Sequence, residues 1–268
     1  IAVSGYTYTL GITLTGIANG SETLTVTPVA NSIYDANGNA ASTTQSNNTA
    51  TLIDGRIAII TSFDHDVTYG LVNSIIRIDS DTYLLAYKHY NGLLKTFTIP
   101  ADGSAVTQVS YQTFSGNSSA YMFSNDLLQI DADTYIMAYS GNDATTSYGQ
   151  HIKTFKVKTD GSSIVEIGHL EHDTNYGSND YSDLVRVDHD TYALAYYGYD
   201  GGGSNSWGGW IKTFTVNGGT ITQVAKLRHF TSQTYDHSFI KIDADTYALA
   251  FADNSTDGNI RTFTIPAD

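Results

Sequence analysis

The chain has 268 residues, with 13 Lys and Arg against 27 Asp and Glu, so its formal net charge is −14. An acidic chain lacks the clustered cations of a nucleic-acid-binding surface, which excludes DNA and RNA as partners. The absence of Cys excludes disulfides, thiolate metal sites and thiol catalysis. No apolar run approaches the roughly 18 residues that span a bilayer, so we expect no membrane insertion.

Residues 1–53 contain three strand-like runs joined by loops rich in Asn, Gly and Ala. The runs are Tyr6 to Leu14, Glu22 to Val29 and Asn48 to Ile53. The segment LTVTPVANSIYDANGNA, from Leu24 to Ala40, resembles the end of the bacterial immunoglobulin-like domains found in tandem in large surface adhesins. In those domains a V-x-P segment leads to a D-x-x-G-N turn and then to a last strand. The resemblance implies that residues 1–53 are the C-terminal part of an immunoglobulin-like β-sandwich.

This partial sandwich is expected to need a completing partner. A whole immunoglobulin-type domain has about 100 residues and seven strands. Half of one exposes an apolar face and unpaired strand edges. Either the preceding strands were removed by a cut at Ile1, or a neighbouring chain supplies them by strand addition.

From residue 54 onward the sequence repeats itself. The segment IDSDTYLLAY, from Ile78 to Tyr87, returns three times, as Ile130 to Tyr139, Val187 to Tyr196 and Ile242 to Phe251. A second block, such as Leu94 to Ile99, and an Asp-Gly or Asn-Gly turn follow in most copies. Apolar and polar residues alternate within each block, which is the period of a strand. Four antiparallel strands in each period of 52 to 57 residues indicate the blades of a β-propeller.

The third repeat shows the expected strand order most clearly. Its four strands are predicted at Asp183 to Val187, Tyr192 to Tyr197, Ile211 to Val216 and Thr220 to Leu227. The repeats also resemble, as a "D-x-x-x-x-x-A-Y … G … T-I-T" pattern over residues 54–268, the repeats of bacterial extracellular β-propellers. That resemblance implies an adhesion or recognition module at the cell surface.

The fourth repeat lacks an outer strand in this sequence. Residues 54–63, DGRIAIITSF, have the turn and the alternation of an outer strand and precede the first repeat. We therefore predict an all-β chain with a four-bladed β-propeller at residues 54–268, in which this N-terminal strand closes the last blade. The alternative is that the repeats are a piece of a larger propeller of five to eight blades.

The variable loops of the repeats are the predicted site. The turns at one end of the blades are short and repeated, whereas the loops at the other end differ in length and content, and function tends to lie on variable loops. Aromatic faces beside Asp and His side chains suit the apolar face and the hydroxyl rim of a sugar. The candidate ligand-binding residues are Tyr69, Tyr90, Tyr121, Tyr148, Tyr181, Trp207, Tyr235, Asp126, Asp183 and His237.

The sequence therefore favours an extracellular or bacterial cell-surface module that binds a glycan or another surface ligand in adhesion and has no catalytic role. One alternative is a structural stalk or filament subunit, a homo-oligomer assembled by strand donation through residues 1–53. The other is a propeller glycoside hydrolase, for which Asp126 and Asp183, at matching strand positions, are the candidate carboxyl pair. We expect no enzyme activity.

We predict no cofactor and no metal site, and calcium is the alternative that the sequence leaves open. The repeated Asp-x-Asp pairs leave calcium open, since Ca²⁺ prefers oxygen ligands. However, two carboxylates per turn fall short of its six to eight ligands, and Asp before Thr commonly forms an Asx turn. We therefore expect these pairs to shape turns, and we expect no metal site among the histidines.

Overall fold

The computed structural model describes most of the chain as two compact units, residues 1–60 and 61–268. The described residues are 2–4, 7–9, 12–13, 15–35, 37–46, 48–52, 55, 57–115, 122–142, 149–174, 182–199 and 207–267. Across these ranges every regular element is a β-strand. No helix in this part of the chain is long and apolar enough to cross a membrane.

The first unit contains two small antiparallel sheets. One pairs β1 (Ala2–Ser4) with β2 (Thr7–Thr9), and the other pairs β3 (Thr23–Thr25) with β4 (Thr49–Thr51). The predicted runs thus form strands of three residues, shorter than their sequence patterns suggest. The predicted D-x-x-G-N turn forms, because the Asp35 carboxylate accepts hydrogen bonds from the backbone N–H groups of Asn37 and Asn39 at 2.9 Å.

The second unit contains four antiparallel sheets in chain order, and within each sheet the strand order is the chain order. Sheet 1 comprises β5 (Leu71–Arg77), β6 (Thr82–Lys88), β7 (Leu93–Thr98) and β8 (Thr107–Thr113). Sheet 2 comprises β9 (Met122–Gln129), β10 (Thr134–Gly141), β11 (Gly149–Val157) and β12 (Ile164–Asp173). Sheet 3 comprises β13 (Asp183–Arg186), β14 (Thr191–Tyr199), β15 (Trp207–Asn217) and β16 (Thr220–Phe230). Sheet 4 comprises β17 (Thr234–Lys241), β18 (Thr246–Asp253) and β19 (Gly258–Thr264).

The core lies between consecutive sheets. Strands β14 and β18 alternate large and small apolar residues. The central strands β10 and β14 are buried on both faces, whereas β18 alternates half-buried with buried residues. Sheets 1 and 2 share one buried cluster that includes Leu94 and Tyr135. Sheets 2 and 3 share a second, with Ile152 and Tyr192. Sheets 3 and 4 share a third, with Ile211 and Tyr247. Apolar burial between sheets therefore sets their stacking.

An aromatic ring precedes each of the four sheets and packs against an aromatic ring of that sheet. Phe114 follows β8 and packs edge-on against Tyr139 of sheet 2, with ring centroids 5.1 Å apart. The equivalent pairs are His65 with Tyr87, His172 with Tyr196, and His229 with Phe251. A cation of the next sheet donates a hydrogen bond to the carbonyl of each such residue, from Lys95 to His65, Lys153 to Phe114, Lys212 to His172 and Arg261 to His229. The repeat in the sequence is thus a repeat of junctions between sheets.

The predicted propeller-type sheets are confirmed, but the predicted closing strand is not observed. Sheet 4 has three strands and ends at β19. Residues 57–63 form no strand, and the side chains of Ile57, Ile59 and Ile60 are exposed. An alternating pattern identifies an outer strand, but it does not by itself supply the sheet edge on which that strand must pair. Closure at four blades is therefore not confirmed, and the described residues form four sheets with two uncovered ends.

Candidate carboxyl site on the inner strands

Two predicted site residues occupy the same position on adjacent inner strands. Asp126 lies on β9 opposite Ala138, and Asp183 lies on β13 opposite Ala195. Small alanines at both opposing positions leave room for the carboxyl groups. The equivalent positions of sheets 1 and 4 hold Ser74 and Ser238, which pair with Ala86 and Ala250. The carboxyl pair is therefore confined to sheets 2 and 3.

Each carboxyl group also joins its strand to the next sheet. Asp126 Oδ2 accepts a hydrogen bond of 2.7 Å from the backbone N–H of Leu184, and Asp126 Oδ1 accepts one of 2.9 Å from that of Leu127. Asp183 Oδ2 accepts one of 2.6 Å from the backbone N–H of Phe239. These bonds fix both carboxyl groups on rigid strands, as a site with defined geometry requires.

The environment of the pair favours a bound proton. Burial raises the pKa of Asp183 to about 7, and the neighbouring Asp126 carboxyl group adds to the rise, against the lowering effect of the Phe239 N–H. Burial likewise raises the pKa of Asp126. Two neighbouring carboxylates resist double ionisation, so the pair loses its last proton only as the pH rises through about 7. An acid and a conjugate base side by side can exchange protons with a bound substrate.

The Asp183→Asn variant is expected to alter how stability depends on pH. A carboxyl group whose pKa is raised on folding contributes stability that is fully present below its unfolded pKa, about 3.9, and is lost as the pH rises through about 7. Asn does not titrate, so the melting temperature of the variant relative to the wild type should increase between pH 5 and pH 8. Thermal melts across this range measure the difference, and a difference that does not change with pH would contradict the shifted titration.

An open cleft of about 650 Å³ lies on the variable-loop side of sheets 3 and 4. Its lining residues come from β14, β15, β16 and the loops that follow β16 and β18: Tyr197, Trp207, Arg228, Thr231, Gln233 and Asn254. Trp207 is partly exposed, and its ring lies 5.6 Å from that of Tyr197 and 5.5 Å from that of Tyr199. The Arg228 guanidinium donates a 2.9 Å hydrogen bond to the Thr231 carbonyl. An aromatic wall beside amide, hydroxyl and guanidinium groups suits a sugar.

A second aromatic group lies on the loops of sheet 1. The rings of Tyr69 and Tyr90 stack with centroids 5.6 Å apart, and Lys88 Nζ lies 5.7 Å from the Tyr69 ring. Beneath them Asp66 accepts hydrogen bonds from the Tyr87 hydroxyl at 3.0 Å and approaches His89 Nδ1 at 2.8 Å. Burial opposes ionisation of Asp66, but these contacts and the N–H groups of Tyr69 and Thr68 hold its pKa below the usual value.

The structure distributes the predicted site residues among several places. Asp126 and Asp183 come together, Trp207 joins the cleft, and Tyr69 and Tyr90 form the separate stack. Tyr235 is half-buried on β17. His237 is buried with its Nε2 atom 3.0 Å from Thr234 Oγ1, so its ring packs within the sheet 3 and 4 junction. Tyr121, Tyr148 and Tyr181 lie outside the described residues.

The sequence analysis missed Arg228 and Asn254. They lie outside the aromatic and acidic pattern that guided the search, and they reach the cleft from a strand end and from a loop of different sheets. The signal near Arg228 is the group of basic residues Lys226, Arg228 and His229 at the end of its strand.

The Asp-x-Asp pairs form turns. Asp79 Oδ1 accepts hydrogen bonds from the backbone N–H groups of Asp81 at 3.1 Å and Thr82 at 2.8 Å, and Asp131 and Asp188 do the same in their repeats. These bonds lower the pKa of Asp79. Within the described ranges no group of three or more His, Asp or Glu side chains is arranged to hold a metal ion. The expectation of no cofactor, with calcium left open, stays a prediction.

Comparison with known proteins finds similarity in structure alone. No protein-family model and no curated protein matches the chain. Among solved structures, it is similar to a complex of the GH93 α-L-arabinofuranosidase of Fusarium graminearum with arabinobiose, at 14% identity and a TM-score of 0.49. It is also similar to the α-L-arabinanase of Penicillium chrysogenum with arabinobiose, at 13% identity and a TM-score of 0.48. Each match covers 76% of this chain and 65% of the other. A third similar structure is Saccharomyces cerevisiae Sqt1, at 10% identity and a TM-score of 0.41, covering 72% and 50%.

Two expectations are corrected. The sequence favoured a non-catalytic adhesion module and no enzyme activity, whereas two of the similar structures are described as glycoside hydrolases. A likeness at this identity and TM-score concerns the fold at most, so the withdrawal of both expectations rests on the residues of this chain. The physical reason lies in this chain's own strands, where Asp126 and Asp183 form a half-buried carboxyl pair with raised pKa values rather than a set of separate ligand contacts.

Proposed function

We propose that this chain is a glycoside hydrolase that uses Asp183 as its general acid. The observation that carries the proposal is the rise of the Asp183 pKa to about 7 in a carboxyl pair fixed on rigid inner strands. A general acid works best when its pKa lies near the working pH, because it is then protonated and still able to release the proton. In glycoside hydrolysis this proton goes to the oxygen of the leaving group as the glycosidic bond breaks, and water adds to the anomeric carbon and releases a proton that restores the acid.

Asp126 acts as a positioning residue in this proposal. Its two oxygens accept hydrogen bonds from the backbone N–H groups of Leu184 and Leu127, so its place beside Asp183 is fixed. Its charge opposes ionisation of Asp183 and keeps the proton available near neutral pH. Removing that charge should lower the pKa of Asp183 and shift the pH profile of activity toward acid.

The cleft beside Trp207 is the proposed sugar-binding surface. The cleft opens at the end of the sheets that carries the variable loops. Strands β13 and β17 begin at this same end. An aromatic ring can cover the C–H face of a sugar while Arg228, Gln233 and Asn254 meet its hydroxyls. The volume of about 650 Å³ falls in the range of small-molecule pockets, about 300 to 1,000 Å³.

The test is a hydrolysis assay with the whole chain. The panel comprises 4-nitrophenyl pyranosides and furanosides of the common sugars, together with plant and bacterial polysaccharides. We expect the wild type to hydrolyse at least one substrate, with kcat falling as the pH rises through about 7. Asp183→Asn should lower kcat about 100-fold or more, because Asn accepts the Phe239 N–H but carries no proton to donate.

The matched control is Asp190→Asn, the same change at the turn that enters β14, where the carboxyl group is substantially exposed. This control should keep wild-type activity, and circular dichroism should show all three proteins folded. Absence of hydrolysis across the panel would overturn the proposal. So would an active Asp183→Asn variant, which would place the general acid elsewhere.

We also propose an extracellular or cell-surface location, with residues 1–53 as the end of an immunoglobulin-like domain. The support is the sequence resemblance over Leu24 to Ala40 and the formation of its expected turn at Asp35. Protease added to intact cells that produce the protein tests the location. The chain should be digested if it lies at the surface and protected if it lies inside the cell.

A further inference from the structure

One end of the second unit exposes a face that the repeat normally buries. Ile260 of β19 is 77% exposed, whereas its equivalents on sheets 1, 2 and 3, Leu94, Ile152 and Ile211, are 0%, 0% and 4% exposed. Each equivalent pairs with the matching alanine of the neighbouring strand, as Ile260 does with Ala250. The sequence has therefore kept the residue type of a buried position on a face that nothing in the second unit covers.

The opposite end shows the complementary exposure. Ile75 of β5 is 60% exposed, whereas its equivalents Leu127, Leu184 and Phe239 are 3% to 4% exposed. Those three residues are buried because a preceding sheet covers them, and sheet 1 has none. Sheet 1 thus presents the face that receives a preceding sheet, and sheet 4 presents the face that covers a following one.

Residues 57–63 have the place of an outer strand. They end two residues before His65, which contacts Tyr87 as Phe114, His172 and His229 contact the next sheets after β8, β12 and β16. Counting back from His65 aligns Ile57 with Val106, Ile164 and Ile221, which begin or precede those outer strands. Phe63 contacts Phe97 edge-on at 5.8 Å. The segment therefore ends against sheet 1 as an outer strand does, but it has no sheet of its own.

Beside the last strand of sheet 4, the position of a fourth strand is open. A groove of about 280 Å³ runs between β16 and β19. Its walls are apolar, with Val224 and Leu227 on one side and Phe263 and Ile265 on the other. In the preceding junctions the outer strand of each sheet contacts the outer strand of its neighbour, as β12 contacts β16. The groove is thus the place at which an outer strand of sheet 4 would lie.

We propose that two copies of this chain assemble head to tail. Sheet 4 of each copy packs on sheet 1 of the other, and residues 57–63 of each copy add to β19 of the other as its fourth strand. Each contact joins two different surfaces of the chain. Both surfaces of every copy are therefore covered only when the copies form a closed ring. Two copies contribute eight sheets, which is within the range of about four to eight blades in known propellers. Strand addition also removes the open edge of β19.

The first test measures the mass of the whole chain in solution by light scattering. We expect about twice the 29.0 kDa of one chain. Ile75→Asp and Ile260→Asp should each give monomers, because each places a charge in both contacts of the ring. An equimolar mixture of the two variants should regain a dimer, since one of its two contacts carries neither change. Val165→Asp, on the exposed side of β12, is the control that should stay dimeric.

The second test uses the absence of Cys in the natural chain. Thr262 on β19 is equivalent to Thr96, which pairs with Ser110, and Thr61 is equivalent to Ser110. We therefore expect a mixture of Thr61→Cys and Thr262→Cys to form a covalent dimer on oxidation, which neither variant forms alone in comparable yield. A wild-type monomer, or two variants that do not restore a dimer when mixed, would overturn the proposal. An intrachain disulfide in the monomeric double variant would also overturn it and would instead indicate closure at four blades.

Discussion

Replacing Ile152 by Ala is expected to lower the free energy of unfolding by about 2 to 5 kcal/mol. Ile152 is fully buried on β11, in the cluster that joins sheets 2 and 3. The truncation removes apolar contacts with both sheets and leaves a cavity that rigid strands cannot fill by local collapse. Chemical denaturation followed by circular dichroism measures the loss as a lower midpoint at an unchanged slope.

The control for this change is Val165→Ala on β12 of the same sheet. Val165 is about half exposed, so its truncation removes little buried area and should change stability by less than about 0.5 kcal/mol. Equal losses for the two variants would show that the junction between sheets 2 and 3 is not packed as described.

Replacing Gly168 by Val is expected to destabilise the second unit by about 3 kcal/mol or to prevent its folding. A Cβ atom at Gly168 would lie 2.2 Å from the carbonyl oxygen of Gly219 and 2.6 Å from Thr154 Oγ1. Because the first contact is with backbone, no side-chain rotation can relieve it. Strand β12 and the turn between β15 and β16 approach each other closely only because glycine stands at this point.

Sheet 1 offers a matched control for Gly168. Ser110 of β8 is the equivalent residue, since it pairs with Thr96 as Gly168 pairs with Thr154. It already carries a Cβ atom and is half-buried. Ser110→Val should therefore change the thermal midpoint by far less than Gly168→Val. A Gly168→Val protein with wild-type stability would contradict the close approach of β12 to the turn between β15 and β16.

The strand framework was predictable because it is written four times. Alternation located every strand of sheet 3, from Asp183 to Leu227, within a few residues. The observed β14 and β15 extend further because Tyr197 to Tyr199 continue the ladder opposite Trp207 to Gly209, where glycines interrupt the apolar pattern. The predicted strands therefore end where the alternation of apolar and polar residues ends, although the backbone hydrogen bonds between β14 and β15 continue beyond that point.

The tertiary arrangement was less predictable. Residues 54–63 have the pattern of an outer strand, but a local pattern does not name the edge on which that strand pairs, so the predicted closure of the last blade is not confirmed. Asp126 and Asp183 were found because the repeat places them at matching positions. The cleft was found only in part, because Arg228 and Asn254 reach it from separate elements whose juxtaposition depends on how sheets 3 and 4 stack.

The aromatic rings at the sheet junctions give the unit an expected order of disassembly in acid. Burial and the nearby Lys212 hold the pKa of His172 well below the usual value, and burial, His237 and Arg261 lower that of His229 to about 3. As the pH falls below about 6.5, the two imidazole rings bind protons in the unfolded chain but stay neutral in the folded chain, so the free energy of unfolding decreases. Phe114 fills the same place between sheets 1 and 2 and has no proton to bind. Acidification should therefore loosen sheets 3 and 4 first and leave sheets 1 and 2 paired.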